Sequence, residues 1–373
     1  MKHSLLILFC LCSLSNSIAQ SSADHAHERA IHFPDIPGYT TIVSDFHQHT
    51  VFSDGSVWPD IRIQEALRDS IDVISLTEHL EYQPHKEDLP HPDRNRAFEL
   101  AEQFARPYDI LVIPGAEITR KMPPGHTNAI FIEDANKLLI EDSLEVFVEA
   151  NRQGAFVFSN HPNWIAQRRD GVAFLNDFHR LLIDQKLLHG IEVVNDLTFS
   201  DEALQIAIDH GLTIMGTSDI HGLVDWQYEI PHGGHRPVTL IFALERTPEA
   251  LKEALFAGRT VVWFRNTLIG HSEHLLPLIN SSLSVSKAAY QGISSVLDVT
   301  IYNDSDVEYL LATQDQYNFH DNAGLVTLLP NTTTTFSVKT MDQLRSLELH
   351  FEVMNAITAP RVHPSITIPV TIE

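Results

Sequence analysis

The sequence predicts an α/β chain, with a barrel of roughly seven or eight β/α units over residues 41–272 and a C-terminal β-sandwich over 275–373. Three observations carry this. Short β-like runs alternate with helical patterns through most of the chain, as in a largely parallel sheet covered by helices. The unusual polar residues fall at the carboxyl ends of the apolar runs, where a β/α barrel gathers its functional side chains on one face. From about residue 275 the helical period fades, and β-segments joined by turns take over.

Taken in order, residues 1–19, MKHSLLILFCLCSLSNSIA, open with Lys2 and run through an apolar stretch from Leu5 to Cys12. They end with Ser17 and Ala19 at the small-residue positions of a cleavage site. This order predicts a secretory signal peptide and an exported protein, periplasmic or extracellular. The stretch is too short to span a bilayer, for which about 20 residues are needed, and no transmembrane anchor is expected. Both cysteines, Cys10 and Cys12, lie in this leader, so the mature chain folds without disulfides, as its size permits.

Residues 20–40 read as an N-terminal extension. TIVSDFHQH, DVISLTEH, DILVIPGAEIT, HTNAIFIE, AFVFSNHP, HGIEVVND, LTIMGTSDIHG, VTLIFALE and TVVWF are then the strand candidates of the barrel. WPDIRIQEALRDS, NRAFELAEQFA, SDEALQIAIDHG and TPEALKEALFAG carry the helical period between them. Beyond these, LSVSKAAY, SSVLDVTIYNDSDVEYLLAT, TTTTFSVKT, LRSLELHFEVMNA and SITIPVTIE predict a sandwich of roughly 100 residues, a usual domain size. It holds no catalytic constellation, and Tyr302 and Tyr309 are either core aromatics or a sugar-binding surface.

Lys+Arg 25 against Asp+Glu 49 gives a formal net charge of -24. Such a chain repels polyanions, which argues against nucleic acid as a partner. A small phosphorylated substrate stays compatible, because bound cations reverse the local field. No phosphate-binding P-loop is present, and no GxGxxG follows the first strand.

In DFHQHTVFSDG, His47 and His49 lie two apart, as do Asp219 and His221 in GTSDIHG. Along a strand, residues at this spacing point to one face. Either pair alone reads equally well as a solvated strand terminus. Joined by His79, Glu117, His126 and His161 near successive element ends, they read as a metal centre, since burying so many titratable groups without cations would be costly. Imidazole and carboxylate suit Zn, Mn or Fe, and the lack of cysteine argues against a thiolate site.

The stretches DFHQHTVFSDG, SLTEH, GAEIT, GHTNAIF, SNHP and GTSDIHG, in this order over about residues 41–265, resemble the polymerase and histidinol phosphatase (PHP) superfamily. The resemblance implies a distorted (β/α)7 TIM-like barrel and a centre of two or three divalent ions. His47, His49, Glu117 and Asp219 match ligands of the first ion, with Glu117 bridging to a second held by His126 and His161. Asp54, His79 and His221 match ligands of the third, where some relatives carry histidine at the position of Asp54. The implied activity is metal-dependent hydrolysis of phosphate esters, above all small phosphomonoesters, by a metal-activated hydroxide without a protein nucleophile. Export, acidity and the appended β-domain depart from the polymerase-associated and histidinol phosphate members, which argues against DNA and histidinol phosphate as substrates.

The same centre could instead hydrolyse carbamates or carboxylic esters, and phosphodiesters would need an open-ended cleft. A non-catalytic glycan- or surface-binding protein is the non-enzymatic alternative. Arg120 and Arg236 are candidate substrate contacts, each readable also as a surface or structural residue. The same two readings apply to Lys121, to His85, Lys86, His91, Arg94 and Arg96 in one polar loop, and to Trp164, Arg168, Arg169, Asn195, His232, His235 and Arg259.

Overall fold

The structure, a computed structural model, describes residues 29–319 and 323–373. The expected leader, Met1 to Ala19, lies outside the described residues, as does the start of the extension. The first part of the chain forms β1 (Thr40–Asp45), α1 (Pro59–Arg68), β2 (Val73–Leu76), α2 (Arg96–Ala105), β3 (Leu111–Thr119), β4 (His126–Ile130), α3 (Glu145–Arg152) and β5 (Phe156–Ser159). Then come α4 (Asp177–Asp184), β6 (Gly190–Asn195), β7 (Thr198–Phe199), α5 (Asp201–His210), β8 (Thr213–Thr217), α6 (Val224–Gln227), β9 (Val238–Ala243), α7 (Pro248–Phe256), β10 (Thr260–Phe264), β11 (Thr267–Gly270) and α8 (Ser272–Ser282).

Local chemistry sets the helix ends. The Ser200 side chain caps α5 by accepting from Ala203 N, Asp201 and Glu202 sit in its positive first turn, and Gly211 ends it at φ 62. Thr247 caps α7 in the same way, with Pro248 in its first turn. Strands β2, β5, β8 and β9 are buried at every position, which is why they read as apolar runs rather than alternating ones.

These strands build a curled, partly barrel-like sheet in the order β11-β10-β9-β1-β2-β3-β4-β5-β6, with β8 beside β6. Not all of it is parallel. β4 runs antiparallel to β3 and β5, because the six residues 120–125 suffice for a hairpin but not for a crossover. β9 likewise runs antiparallel to β1 and β10. The sheet curls so that β8 comes near β9 and β10 without pairing to them, and there side-chain hydroxyls link the strands. Thr239 Oγ1 accepts from Gly216 N at 2.9 Å and donates to Gly216 O at 2.8 Å, and Thr260 Oγ1 donates to Ile214 O at 2.8 Å. Only glycine fits at 216, since a Cβ there would lie 2.2 Å from Val262 Cγ1.

The expected β-sandwich follows as β12 (Leu283–Tyr290), β13 (Val296–Asn303), β14 (Tyr309–Thr313), β15 (Asn318–Phe319), β16 (Leu325–Leu328), β17 (Thr332–Lys339), β18 (Ser346–Val353), β19 (Ala356–Ile357) and β20 (Ser365–Thr371). Two four-stranded sheets, β12-β13-β17-β15 and β16-β14-β18-β20, face each other. Alternate burial along β13 and β20 marks their inner faces. Tyr309 is wholly buried and therefore a core residue, not a sugar contact. Residue 275, where the sandwich was expected to begin, falls inside α8, which links the two parts. One strand crosses back: β19 pairs in parallel with β11 at the edge of the curled sheet. Asn355 secures this junction, with its Nδ2 donating to Asn266 O at 2.7 Å and Glu308 O at 2.9 Å. Apolar packing is continuous from Trp263 and Leu268 through Leu275 and Leu278 to Leu297 and Val299.

Candidate metal centre

The nine residues expected as ligands come together at one end of the curled sheet. His47 and His49 follow β1, His79 follows β2, His161 follows β5, and Asp219 and His221 follow β8. Glu117 and His126 meet diagonally across the β3–β4 hairpin, where Glu117 is opposite Asn128 and His126 opposite Thr119, and Asp54 comes from the loop after β1. The strand register continues into these ends through bridges between Gln48 and Ile220 and between His79 and Glu117.

Three overlapping groups have donor atoms within 4.8 Å of one another: His49, Asp54, His79 and His221; His47, His49 and Asp219; and His79, Glu117 and His126. Asp219 Oδ1 lies 3.1 Å from Nε2 of both His47 and His49. Glu117 Oε1 lies 3.0 Å from His126 Nδ1, 3.7 Å from His47 Nε2 and 3.7 Å from His161 Nε2, while its Oε2 contacts His79 Nδ1. Asp54 lies 3.1 Å from His221 Nε2 and 3.4 Å from His79 Nε2. Glu117 therefore lies within reach of histidines from all three groups, which themselves share His49 and His79. His79 approaches it more closely than the resemblance implied, and His49 adjoins the Asp54 group as well as its own.

Charge and orphaned atoms show that this donor set fits divalent cations. Burial opposes protonation of His47, yet Asp219 and Glu192 outweigh it and raise the imidazole to about 10. Burial also opposes His79, where Glu117 and Asp54 prevail and raise it to about 11. His49 is pushed down to about 3, by burial first and then by His221 and His79. Burial pushes Asp54, Glu117 and Asp219 upward, but the surrounding imidazoles hold all three below the ordinary carboxylate range. The protein alone thus balances its carboxylates with protons, a role that bound cations take over. Buried His161 Nδ1 makes no hydrogen bond, and Asp54 Oδ1, Glu117 Oε2 and His126 Nδ1 meet only other side chains of the cluster, without hydrogen-bond geometry. Such atoms are costly unless something else meets them.

Several residues that sequence reasoning missed hold the centre from behind. Glu192 Oε1 accepts from His47 Nδ1 at 2.8 Å and Thr217 Oγ1 at 2.5 Å, and its Oε2 accepts from His161 N at 2.6 Å and Asn195 Nδ2 at 2.9 Å. This presents His47 Nε2 to the cluster. Asn160 Nδ2 donates to Glu117 Oε1 at 2.8 Å. The wholly buried Arg62 donates to the carbonyls of His49 at 3.0 Å, Ile220 at 3.1 Å and Gly222 at 2.8 Å, tying the two His-bearing segments together, and pairs with Glu65 at 2.7 Å. The signal for both was a charge on a buried face: Glu192 inside the apolar run GIEVV, and Arg62 one turn before Ala66 on the inner side of α1.

A solved structure decides the family. A two-domain protein of Bacteroides vulgatus ATCC 8482, described as containing a predicted PHP-like metal-dependent phosphoesterase, is 40% identical. The match covers 91% of this chain and 98% of that one, with a TM-score of 0.86. The chain belongs to the PHP-like metal-dependent phosphoesterases. PsfC of Pseudomonas syringae PB-5123 is similar at 17% identity, covering 65% of this chain and 96% of its own, with a TM-score of 0.43. An amidohydrolase of Chromobacterium violaceum with bound sulfate is similar at 16% identity, 48% and 87% coverage and a TM-score of 0.35. A family model described as an Ig-like domain (DUF5001) matches residues 283–369, the sandwich. No curated protein matches the chain.

The PHP-like phosphoesterase thus carries a metal-dependent hydrolase site of phosphoesterase type, which removes the non-catalytic alternative. Its rim corrects two expectations. Arg236 cannot touch substrate: it is wholly buried, with Nη2 2.6 Å from Asp69 Oδ2 and Nη1 3.4 Å from Asp45 Oδ2. Asp45 in turn accepts from Ser218 N and Oγ, so Arg236 braces the turn before Asp219. The Arg120 guanidinium is engaged by Glu81 at 2.9 Å and by the carbonyls of Ile140 and Glu141, and it does not line the cavity. Of the other rim candidates, Trp164 and Asn195 do line it. Arg168 lies over the Phe174 ring at 3.6 Å, and His235 stacks on Trp263 with ring centroids 3.4 Å apart. Among the described residues, no helix is long and apolar enough to cross a membrane.

Proposed function

We propose that the protein is an exported phosphoesterase of small phosphomonoesters, with two or three ions of Zn, Mn or Fe held by His47, His49, Asp54, His79, Glu117, His126, His161, Asp219 and His221. The observation that carries this reading is the convergence of these side chains into one cluster, of which Asp54, His79, His126, His161, Asp219 and His221 line one cavity. Divalent ions bound there would supply Lewis acidity and a water of lowered pKa. The chain's own residues do the rest. Glu192 and Asn195 fix the orientation of His47 and Asp219, Asn160 restrains Glu117, and Thr119 Oγ1 meets His79 Nδ1 at 2.7 Å. Strands β1, β2, β3, β5, β6, β8 and β10 run in one direction, which supports a distorted (β/α)7 barrel interrupted by the reversed β4 and β9. Export rests on the composition of residues 1–19 alone.

One observation favours a second reading, hydrolysis of a carbamate or carboxylic ester: among the described residues, no lysine or arginine lines the cavity. The deciding experiment measures phosphate release from a panel of phosphomonoesters and phosphodiesters by metal-loaded protein, the diesters with an added phosphomonoesterase. Release by the parent that Asp219→Ala and His221→Ala both abolish is the expected result. Absence of release across the panel, together with hydrolysis of carboxylic or carbamate esters, would transfer the assignment to the second reading.

A further inference from the structure

The cavity in front of the metal centre measures about 600 Å³, within the range of small-molecule sites. Beyond the metal-centre side chains, its walls include Asn163 and Trp164 after β5, Asn195, Asp196 and Thr198 after β6, and Gln227 on α6. The Trp164 indole is 43% exposed. Its base is fixed by His161 and His126, whose ring centroids lie 5.1 and 5.5 Å away, and by a turn in which Trp164 N donates to His161 O at 2.9 Å. Asp196 is oriented by Gln227 Nε2 at 2.6 Å and Tyr228 OH at 3.2 Å, both on Oδ1, so its other oxygen is available to a ligand.

These walls suit one chemistry. An amphipathic indole offers an apolar plate to C–H groups. Around it, Asn195 Nδ2 donates to Glu192 and Asp219, Thr198 Oγ1 to Asn195 O and Gln227 Nε2 to Asp196, so the wall offers mainly acceptor oxygens, with the Asn163 amide as a donor, which matches a molecule carrying several hydroxyls. A second phosphate group seated away from the metal-centre histidines would meet Asp196, with no lysine or arginine among the described wall residues to offset it. A quaternary ammonium would use Trp164 and Asp196 but leave the amides unmatched. A nucleobase would use the plate and few of the polar groups. We propose that the substrate's alcohol part is a neutral sugar or polyol, seated on Trp164 with its hydroxyls bonded to Asp196 and the neighbouring amides. This rests on the phosphomonoesterase reading. Hydrolysis breaks the bond between phosphorus and the sugar oxygen. Water supplies the new oxygen on phosphorus and the proton that completes the sugar hydroxyl.

The test compares kcat and KM of metal-loaded protein for a hexose monophosphate, a hexose bisphosphate, choline phosphate, a nucleoside monophosphate and p-nitrophenyl phosphate. The hexose monophosphate is expected to show the highest kcat/KM among the four biological esters. Trp164→Ala should raise its KM roughly tenfold with kcat little changed, Trp164→Phe should restore most of the loss, and Asp196→Asn should raise KM in the same direction. Preference for the bisphosphate, choline phosphate or the nucleotide would overturn the proposal. An unchanged hexose phosphate KM in both Trp164→Ala and Asp196→Asn would do the same. Turnover of p-nitrophenyl phosphate keeps the phosphoesterase reading intact through either failure. The sugar part also has its own readout in metal-free protein: free hexose should quench tryptophan fluorescence in the parent and not in Trp164→Ala, and equal responses would count against it.

Discussion

Glu192→Gln isolates the contribution of the group behind His47. The carboxylate accepts four hydrogen bonds, two on each oxygen, in a position only 1% exposed. Glutamine keeps the volume but has one carbonyl oxygen, so its amide must face one pair of donors. If it faces His161 N and Asn195, the backbone N–H cannot reverse and stays unpaired. If it faces Thr217 and His47, the hydroxyl can turn, but His47 must carry its proton on Nε2, the atom 3.1 Å from Asp219. A hydrogen bond to a charged group contributes about 1.5–3 kcal/mol, and a stranded buried donor costs about 1–3 kcal/mol. The expected loss is therefore about 2.5–6 kcal/mol, visible as a thermal midpoint lowered by several degrees. Removing a group that orients a ligand typically weakens metal affinity by about 10–100-fold. Both quantities are measurable, by thermal unfolding of metal-free protein and by titration of metal against a competing indicator. A variant with parental metal affinity and an unchanged midpoint would refute the idea that Glu192 sets the His47 tautomer.

Other perturbations read other parts of the framework. Arg62→Met leaves Glu65 buried without its partner and releases three carbonyls, so urea unfolding should show a loss of about 3–5 kcal/mol along with weakened metal binding; parental stability would remove its role as a tie. Gly216→Ala drives a methyl group into Val262 and should cost about 1–3 kcal/mol, most of it recovered when Val262→Ala is added; strictly additive losses would show that the two sites do not touch. Burial pushes His189 down to about 4, in a site where its Nδ1 accepts from Val157 N at 3.0 Å. The unfolded chain, with an ordinary value near 6.5, binds more protons between these limits. This stability is complete above about pH 6.5 and is lost as pH falls toward 4. His189→Gln should flatten the pH dependence of the thermal midpoint across that window, and identical slopes would exclude His189 as its source.

The cluster was legible because most of the candidate ligands interrupt or end an apolar run, at a place where the topology has little choice but to gather them. Glu192 escaped notice because it lies inside such a run, where a single carboxylate among GI and VV gives no hint of the four donors awaiting it. Arg236 was misplaced for the opposite reason. HGGHRP reads as part of the polar rim, and nothing local shows that Asp45 and Asp69, distant in the chain, enclose the Arg236 guanidinium. The reversed β4 was partly visible in the short spacing between GAEIT and HTNAIF. The reversal of β9 depends on its pairing with β1, a contact between segments almost two hundred residues apart. Tyr309 turned out to be core because its strand alternates inward at that position, a phase that the run DVEYLLAT does not by itself reveal.

The pairing of β19 with β11 has a consequence for how the chain comes to be made. An unpaired strand edge is a template for association with other chains. Here the flank of β11 is covered by residues that leave the ribosome only near the end of synthesis. Until then the catalytic half carries an open edge, and the junction held by Asn266 and Asn355 cannot close. Cutting the gene between the two halves would leave that exposure permanent. The sandwich is therefore less a detachable appendage than the last piece of the enzyme's own sheet, and exchanging it between relatives should succeed only when β19 and Asn355 travel with it.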